Sequence, residues 1–548
     1  MDVSEAAGRC LAAHGIGHVF GVVGSGNFHV TNALVAAGAR FVPAAHECGA
    51  ASMADGYARV SGRLAALTVH QGPGVTNALT GITEAAKSRT PMVVLAPEVT
   101  SPRSNFFIDV AGIAAAVGAG YVRLRPDRVA EDVAAACHAA TAGAGSTVVL
   151  GLPLDVQAMP ADPAALTAPE PAAAAPVDAS FDAPDVERLV AALGAARRPV
   201  FIAGRGAARS AGSSRAALIE LADRCGALLA VSAAARGLFA GEPWNLDVSG
   251  GFATPLAAEL IAQADLVVGW GSTLNMWTTR HGRLISPGTV VAQVDLRAEA
   301  LGANRPVDVA VAGDITAVAK ACTAELGQHD GWRTPQLRER IAAEGRWSAV
   351  SYVDEGGAGR IDPRTLSIEL DGMLPAARTV AVDSGNFLGY PSMFLSVPDV
   401  TGFCFTQAYQ SVGLGLASAI GAALARPDRL TVAALGDGGF LMSVAELTTA
   451  VRLGLPLLVV VYNDAAYGAE VHHFGPHGHP LDTVTFPDSD LAAIARGFGC
   501  DGHTVRERGD LAVVRDWLAA GTGRPLLLDA KVVSDRGSWW LEEAFRGH

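Results

Sequence analysis

Strand-length runs of unbroken apolar residues recur along the whole chain, and they constrain its fold more than any other feature. HVFGVVG (18–24), RFVPAAH (40–46), RLAALTVH (63–70) and PMVVLAPE (91–98) come first. PVFIAG (199–204), ALLAVS (227–232), DLVVGWG (265–271) and TVVAQVD (289–295) follow, and RTVAVDSG (378–385), TVAAL (431–435), LLVVVY (457–462) and PLLLDAKVV (525–533) close the series. None alternates apolar with polar, so each is expected to be buried on both faces, as in a parallel sheet covered by helices. Helix-compatible segments separate them. A chain of 548 residues is too long for one core. The pattern therefore predicts an α/β protein of three sequential doubly wound parallel-sheet domains, over 1–160, 186–330 and 360–548. The first break falls in the Pro/Ala-rich stretch 159–185, and the second in the polar stretch 327–362 that holds GQHDGWRTPQ and DEGGAGRIDP.

Charge and cysteine usage exclude several classes. The formal net charge is −13 and no basic stripe occurs, which argues against a nucleic-acid partner and requires local positive groups for any anionic substrate. The seven cysteines are scattered, with no C-x-x-C pair, so neither a disulfide framework nor a zinc site is expected. The N-terminus MDVSEAAGRCLAAHG lacks the apolar core of a signal peptide, and no apolar run approaches the roughly 18 residues of a membrane span. The expectation is a cytoplasmic protein with no membrane partner.

Chemistry concentrates in ALGDGGFLMSVAELTTAVRLGLPLLVVVYNDAAYG, which reads as one βαβ unit. Its first strand ends at Gly436-Asp437-Gly438-Gly439 and its second at Asn463-Asp464, with Asp464 27 residues after Asp437. Both ends meet on the carboxyl edge of the sheet, where open α/β folds bind ligands. Two carboxylates there can hold a hard cation that bridges to phosphate oxygens. A second motif, AHECGAASMADGYARVSG (45–62), places Glu47 at a strand–helix junction. A third, TVHQGPGVTNALTGITEA (68–85), sets His70 beside a glycine-rich loop, and VVGSGN holds Ser25.

In this order, the HE-xxAxxxADGYAR and GDG…ND motifs resemble those of thiamine diphosphate (ThDP)-dependent enzymes of the acetolactate synthase and benzoylformate decarboxylase type. The resemblance covers nearly the whole chain. It implies ThDP and Mg²⁺ as cofactors, with the metal held by Asp437, Asp464 and the carbonyl of Ala466. Asp464 stands where many members have Asn, and it remains an oxygen donor. Gly385, Asn386 and Phe387, with Gly436, Gly438, Gly439, Tyr467 and Gly468, would border the diphosphate. Gln410 and Val412, from QAYQSVGLG, would border the thiazolium, with Val412 as its apolar support. Glu47 would bond the ring nitrogen N1′ of the aminopyrimidine and so activate the cofactor. His70, Ser25 and Glu470 complete the implied catalytic set. The His-rich run EVHHFGPHGHP is expected as a loop over the site mouth rather than a zinc site. The central unit resembles a domain that binds FAD in some members and is empty or nucleotide-binding in others, and GRGA (204–207) is too short to decide.

The implied activity is decarboxylation of a 2-oxo acid followed by transfer of the acyl carbanion to a second carbonyl. GPGVTN and the ending VDVAVAGDI favour this carboligase reading; His70 and Glu470 favour a simple decarboxylase that releases an aldehyde. A catalytically silent partner subunit is the alternative of another class, opposed by the intact Glu47, Asp437 and Asp464. In the family the pyrimidine end of the cofactor lies on one subunit and the diphosphate end on its partner, which implies a homodimer or a dimer of dimers.

Overall fold

The computed structural model describes residues 1–161, 181–521, 523–544 and 546. The expected linker 159–185 thus lies mostly outside the described residues. The described chain forms three six-stranded sheets in which every strand pairing is parallel. In the first sheet, β1 (His18–Gly21), β2 (Arg40–Pro43), β3 (Ala65–Thr68), β4 (Met92–Glu98), β5 (Gly120–Arg123) and β6 (Thr147–Pro153) lie in the order β2-β1-β3-β4-β6-β5. In the central sheet, β7 (Pro199–Ala203), β8 (Leu228–Val231), β9 (Asn245–Val248), β10 (Leu266–Trp270), β11 (Val290–Asp295) and β12 (Val309–Ala312) lie in the order β12-β11-β10-β7-β8-β9. In the third, β13 (Arg378–Val382), β14 (Phe403–Phe405), β15 (Leu430–Gly436), β16 (Leu457–Asn463), β17 (Asp501–Val505) and β18 (Leu526–Lys531) repeat the first order as β14-β13-β15-β16-β18-β17.

The strand order decides where ligands can sit. In the outer sheets the chain leaves the first strand in one direction and returns past it, so the crossovers lie between β1 and β3 and between β13 and β15. The central sheet instead has the dinucleotide-binding order, with its crossover between β7 and β10. At a crossover the loops beyond the carboxyl ends of adjacent strands diverge and leave a crevice.

The central strands are sealed from water on both faces. Every residue of β3, β4, β6, β16 and β18 is buried, as their valine- and leucine-rich runs require. The first and third sheets share one core through two helices, Glu47–Ser61 and Gly415–Ala425, which carry the buried Met53, Leu416 and Ile420. Their axes approach so closely that a Cβ at Gly56 would stand 2.4 Å from the Ser418 carbonyl oxygen, and one at Gly421 would stand 2.0 Å from that of Met53. Small residues at these two positions are what let the outer units pack. All seven cysteines are free thiols, and no described helix is long and apolar enough to cross a membrane.

Candidate active site

The residues expected from the sequence separate into two groups, each on the carboxyl edge of an outer sheet. Around the first crossover, the Ser25 loop follows β1, Glu47 follows β2 and His70 follows β3. Glu47 opens the Glu47–Ser61 helix, and Asn77 Nδ2 donates to its Oε2 at 3.1 Å. The Asn belongs to GPGVTN, whose Pro73 starts the next helix. His70 meets the Phe106 ring edge-on at 5.7 Å, and its Nδ1 is buried without a partner beneath Gly24. A Cβ at Gly24 would lie 2.4 Å from that nitrogen, so the glycine beside Ser25 is what lets the two loops close on each other. Ser25 itself is exposed.

The second group lines a cavity of about 850 Å³ at the third sheet's crossover. Gly385, Asn386 and Phe387 follow β13, Gln410 and Val412 follow β14, and Gly436, Asp437, Gly438 and Gly439 end β15 and open the next helix. Ala466, Tyr467, Gly468 and Glu470 follow β16 and complete this wall. Neither Glu47, His70 nor Ser25 lines the cavity.

Asp437 lines the cavity, and Asp464 lies immediately after β16. Burial pushes the Asp437 carboxyl up to about 6. Burial, and then the charge of Asp437, pushes Asp464 up to about 8. Asp464 Oδ1 is buried with no hydrogen-bond partner. Two mutually repelling carboxylates, one with an orphaned oxygen, are the donor set of a hard cation. No cluster of three or more His, Cys, Asp or Glu side chains suited to a metal occurs among the described residues. A cation here would therefore draw its other oxygens from backbone, phosphate and water. Glycines keep the space above the carboxylates open. A Cβ at Gly438 would lie 2.6 Å from the Tyr467 ring, and one at Gly468 would lie 2.6 Å from Asp464 Oδ2. Two residues here have left-handed backbone: Ala465, between Asp464 and Ala466, has φ 59°, and Gln410 has φ 60°. The residues present thus fit both a metal and a diphosphate.

Residues outside the expected set also shape this wall. Asp383, at the end of β13, accepts from the N–H groups of Ser384 at 2.9 Å, Gly413 at 3.0 Å and Leu414 at 3.2 Å. It thereby fixes the loop that presents Val412. A carboxylate at the end of RTVAVD is the same signal that singled out Asp437, so Asp383 was findable. Trp540 lines the cavity from the C-terminal helix and donates from Nε1 to the Asn386 carbonyl at 3.2 Å; nothing in SWWLEEA points there. The run His472–His477 departs from the expected loop. It forms the Gly468–Phe474 helix and a 3₁₀ turn, Gly475–His477, with the Tyr467 carbonyl accepting from Glu470 and Val471 N–H to start the helix. The cavity also reaches the central crossover, where Gly204, Gly271, Arg205, Arg209 and Arg297 face it with Lys87 and Arg89 of the first unit.

Three family models match in succession. Residues 1–107 match the thiamine pyrophosphate enzyme N-terminal TPP binding domain, 186–322 its central domain and 383–530 its C-terminal TPP binding domain. The chain is 29% identical to a sulfoacetaldehyde acetyltransferase of Rhodobacter capsulatus, over 99% of this chain and 96% of that one. It is 31% identical to a probable 2-ketoarginine decarboxylase of Pseudomonas aeruginosa, over 96% and 92% of the two chains. It is 26% identical to the acetolactate synthase isozyme 2 large subunit of Escherichia coli, over 99% and 97%.

Proposed function

Since the chain belongs to the thiamine pyrophosphate enzyme family and is therefore a ThDP-dependent enzyme, we propose that it decarboxylates a 2-oxo acid and transfers the acyl carbanion to a second carbonyl. The observation that carries the cofactor assignment is the Asp437–Asp464 pair, with its orphaned Oδ1, beneath the glycine-lined space at the third crossover. In this reading Asp437, Asp464 and the Ala466 carbonyl hold Mg²⁺. Gly385, Asn386, Phe387, Gly436, Gly438, Gly439, Tyr467 and Gly468 surround the diphosphate. When bound, ThDP supplies a nucleophilic carbon and an electron sink for decarboxylation. The protein's part is to orient, to exclude water and to move protons. Val412 and Gln410 hold the middle of the cofactor, while Glu47, kept in place by Asn77, holds a proton at the ring nitrogen N1′. His70 and Ser25 face the substrate from the first crossover.

The separation of the two groups supports a homodimer, alone or paired as a tetramer. The cavity around Asp437 lacks Glu47, and a second copy of the chain would supply it. The proposal includes no FAD, and a flavin absorption band in the purified protein would overturn that.

Transfer to a second carbonyl agrees with the acetyltransferase and synthase relatives. Release of an aldehyde is the second reading, favoured by Glu470, a carboxyl side chain on the cavity wall. Purified protein is to be incubated with ThDP, Mg²⁺ and a panel of 2-oxo acids, alone and with aldehyde or 2-oxo acid acceptors. Carbon dioxide and a carboligated product are expected, dependent on both cofactors and lost in Glu47→Gln. Aldehyde alone would select the second reading, and undiminished turnover in Glu47→Gln would overturn the role of Glu47.

A further inference from the structure

Two buried carboxylates reach across the chain in opposite directions, each gripping a pair of backbone N–H groups in the other half. Glu446, 2% exposed, lies on the 3₁₀ turn that continues the helix opened by Asp437. It accepts from Ala45 N–H on Oε2 and from His46 N–H on Oε1, both at 3.1 Å, in the residues just before Glu47. Thr449 Oγ1 donates to the same carboxylate at 2.8 Å. In the reverse direction Glu84, 1% exposed, accepts from Ala408 N–H at 3.1 Å and Tyr409 N–H at 2.6 Å, just before Gln410 and Val412. Glu84 lies on the same helix as Asn77, the residue that donates to Glu47, and Arg59 faces it at 2.7 Å.

We propose that Glu446 and Glu84 are reciprocal positioning residues: Glu446 sets the turn that presents Glu47, and Glu84 sets the loop that presents Gln410 and Val412. The inference rests on the reading of those three residues as cofactor-facing. At each clamp the two N–H groups meet separate oxygens, and a carboxylate offers two where an amide offers one. A glutamine would turn its NH₂ group against one of the donors. The fit at Glu446 is tight, because a Cβ at Gly49 would stand 2.0 Å from its Oε1. Gly49 therefore leaves room for the clamp, and filling that space would expel the carboxylate without altering it chemically. The consequence within one chain is that the turn bearing Glu47 and the turn bearing Asp437 form a single rigid unit.

The test uses the full chain. Amide hydrogen exchange, read by mass spectrometry on the cofactor-free protein, is expected to rise at 45 and 46 in Glu446→Gln and in Gly49→Ala. It is expected to rise at 408 and 409 in Glu84→Gln. Should Glu84→Gln not fold, Glu84→Asp keeps the charge facing Arg59 while withdrawing the oxygens from the loop. With cofactor present, Glu446→Gln and Gly49→Ala are expected to lower kcat about ten- to a hundredfold with a smaller change in ThDP Kd. The Glu84 variants are expected to raise ThDP Kd about tenfold with a smaller change in kcat. General loss of stability would not split the two constants in opposite ways. Unchanged exchange at these amides, or a kcat loss that only follows the unfolded fraction, would overturn the proposal. Wild-type turnover indifferent to ThDP would instead sink the functional reading, since the exchange measurement involves no cofactor.

Discussion

At Gly439 the packing leaves no room for one more carbon. A Cβ there would stand 2.2 Å from Asp383 Oδ2 and 3.0 Å from Val412 Cγ1, and Asp383 cannot yield without giving up the Gly413 and Leu414 amides. Gly439→Ala is expected to cost about 1–3 kcal/mol in urea denaturation and to weaken ThDP binding about tenfold, read by titration. Wild-type values for both would show that the Val412 loop is not fixed from this side. The sequence displayed the glycine but not its reason, since Asp383 and Val412 are 56 and 27 residues distant along the chain. Asp437 and Asp464 support a pH prediction. Burial holds their carboxyls at about 6 and about 8, against 3.8 in an unfolded chain. A folded-state pKa above the unfolded one gives stability that is fully present below 3.8 and is lost as pH rises through those values. The melting temperature of cofactor-free protein should therefore fall from about pH 4 to about pH 8, more gently above pH 6 where only Asp464 still titrates. ThDP and Mg²⁺ should flatten the decline, because a cation replaces the protons. Asp464→Asn should flatten the part above pH 6 without cofactor, since buried Asp383, also pushed up to about 6, still titrates below it, and an unaltered slope there would clear Asp464 as its cause.

At the scale of elements, the strands at the centres of the sheets were legible and most of the edges were not. β1, β3, β4, β7, β8, β10, β11, β13, β15, β16 and β18 are wholly or largely buried, and their apolar runs announce them. β5, β9 and β17 are partly exposed, so their sequences carry no continuous run. β6, TVVLGLP, is buried throughout and shows that the signal was available there too. The site elements were legible because each candidate follows a strand end, whereas the split between two sheet edges depends on strand order. The Gly468–Phe474 helix brings Glu470 to the cavity wall, where a loop would not have fixed it. If Glu470 delivers the proton that releases an aldehyde, Glu470→Gln should slow aldehyde formation about a hundredfold or more. Carboligated product should then rise as a share of total, measured by mass spectrometry in the presence of an acceptor. Equal slowing of both products would instead give Glu470 a part in a step they share.

At the scale of the whole molecule, the proposed roles of Glu47 and Asp437 place two half-sites on each chain and make a second copy necessary. Glu47 sits at the first crossover and Asp437 at the third, linked through Glu446 and through the Gly56 and Gly421 contacts but lining no common cavity. A dimer whose sites each draw Glu47 from one copy and Asp437 from the other makes a quantitative demand on mixed subunits. Glu47→Gln and Asp437→Asn are each expected to be inactive alone, because every site then contains one defect. Dissociated, mixed in equal amounts and reassociated, they would form hybrids as half of all dimers. In a hybrid, both defects fall in one site and the other site is intact. Activity should therefore return to about a quarter of wild type. If Glu47 and Asp437 of the same chain served one cofactor, every site in every hybrid would carry a defect, and the mixture would stay as inactive as its parents.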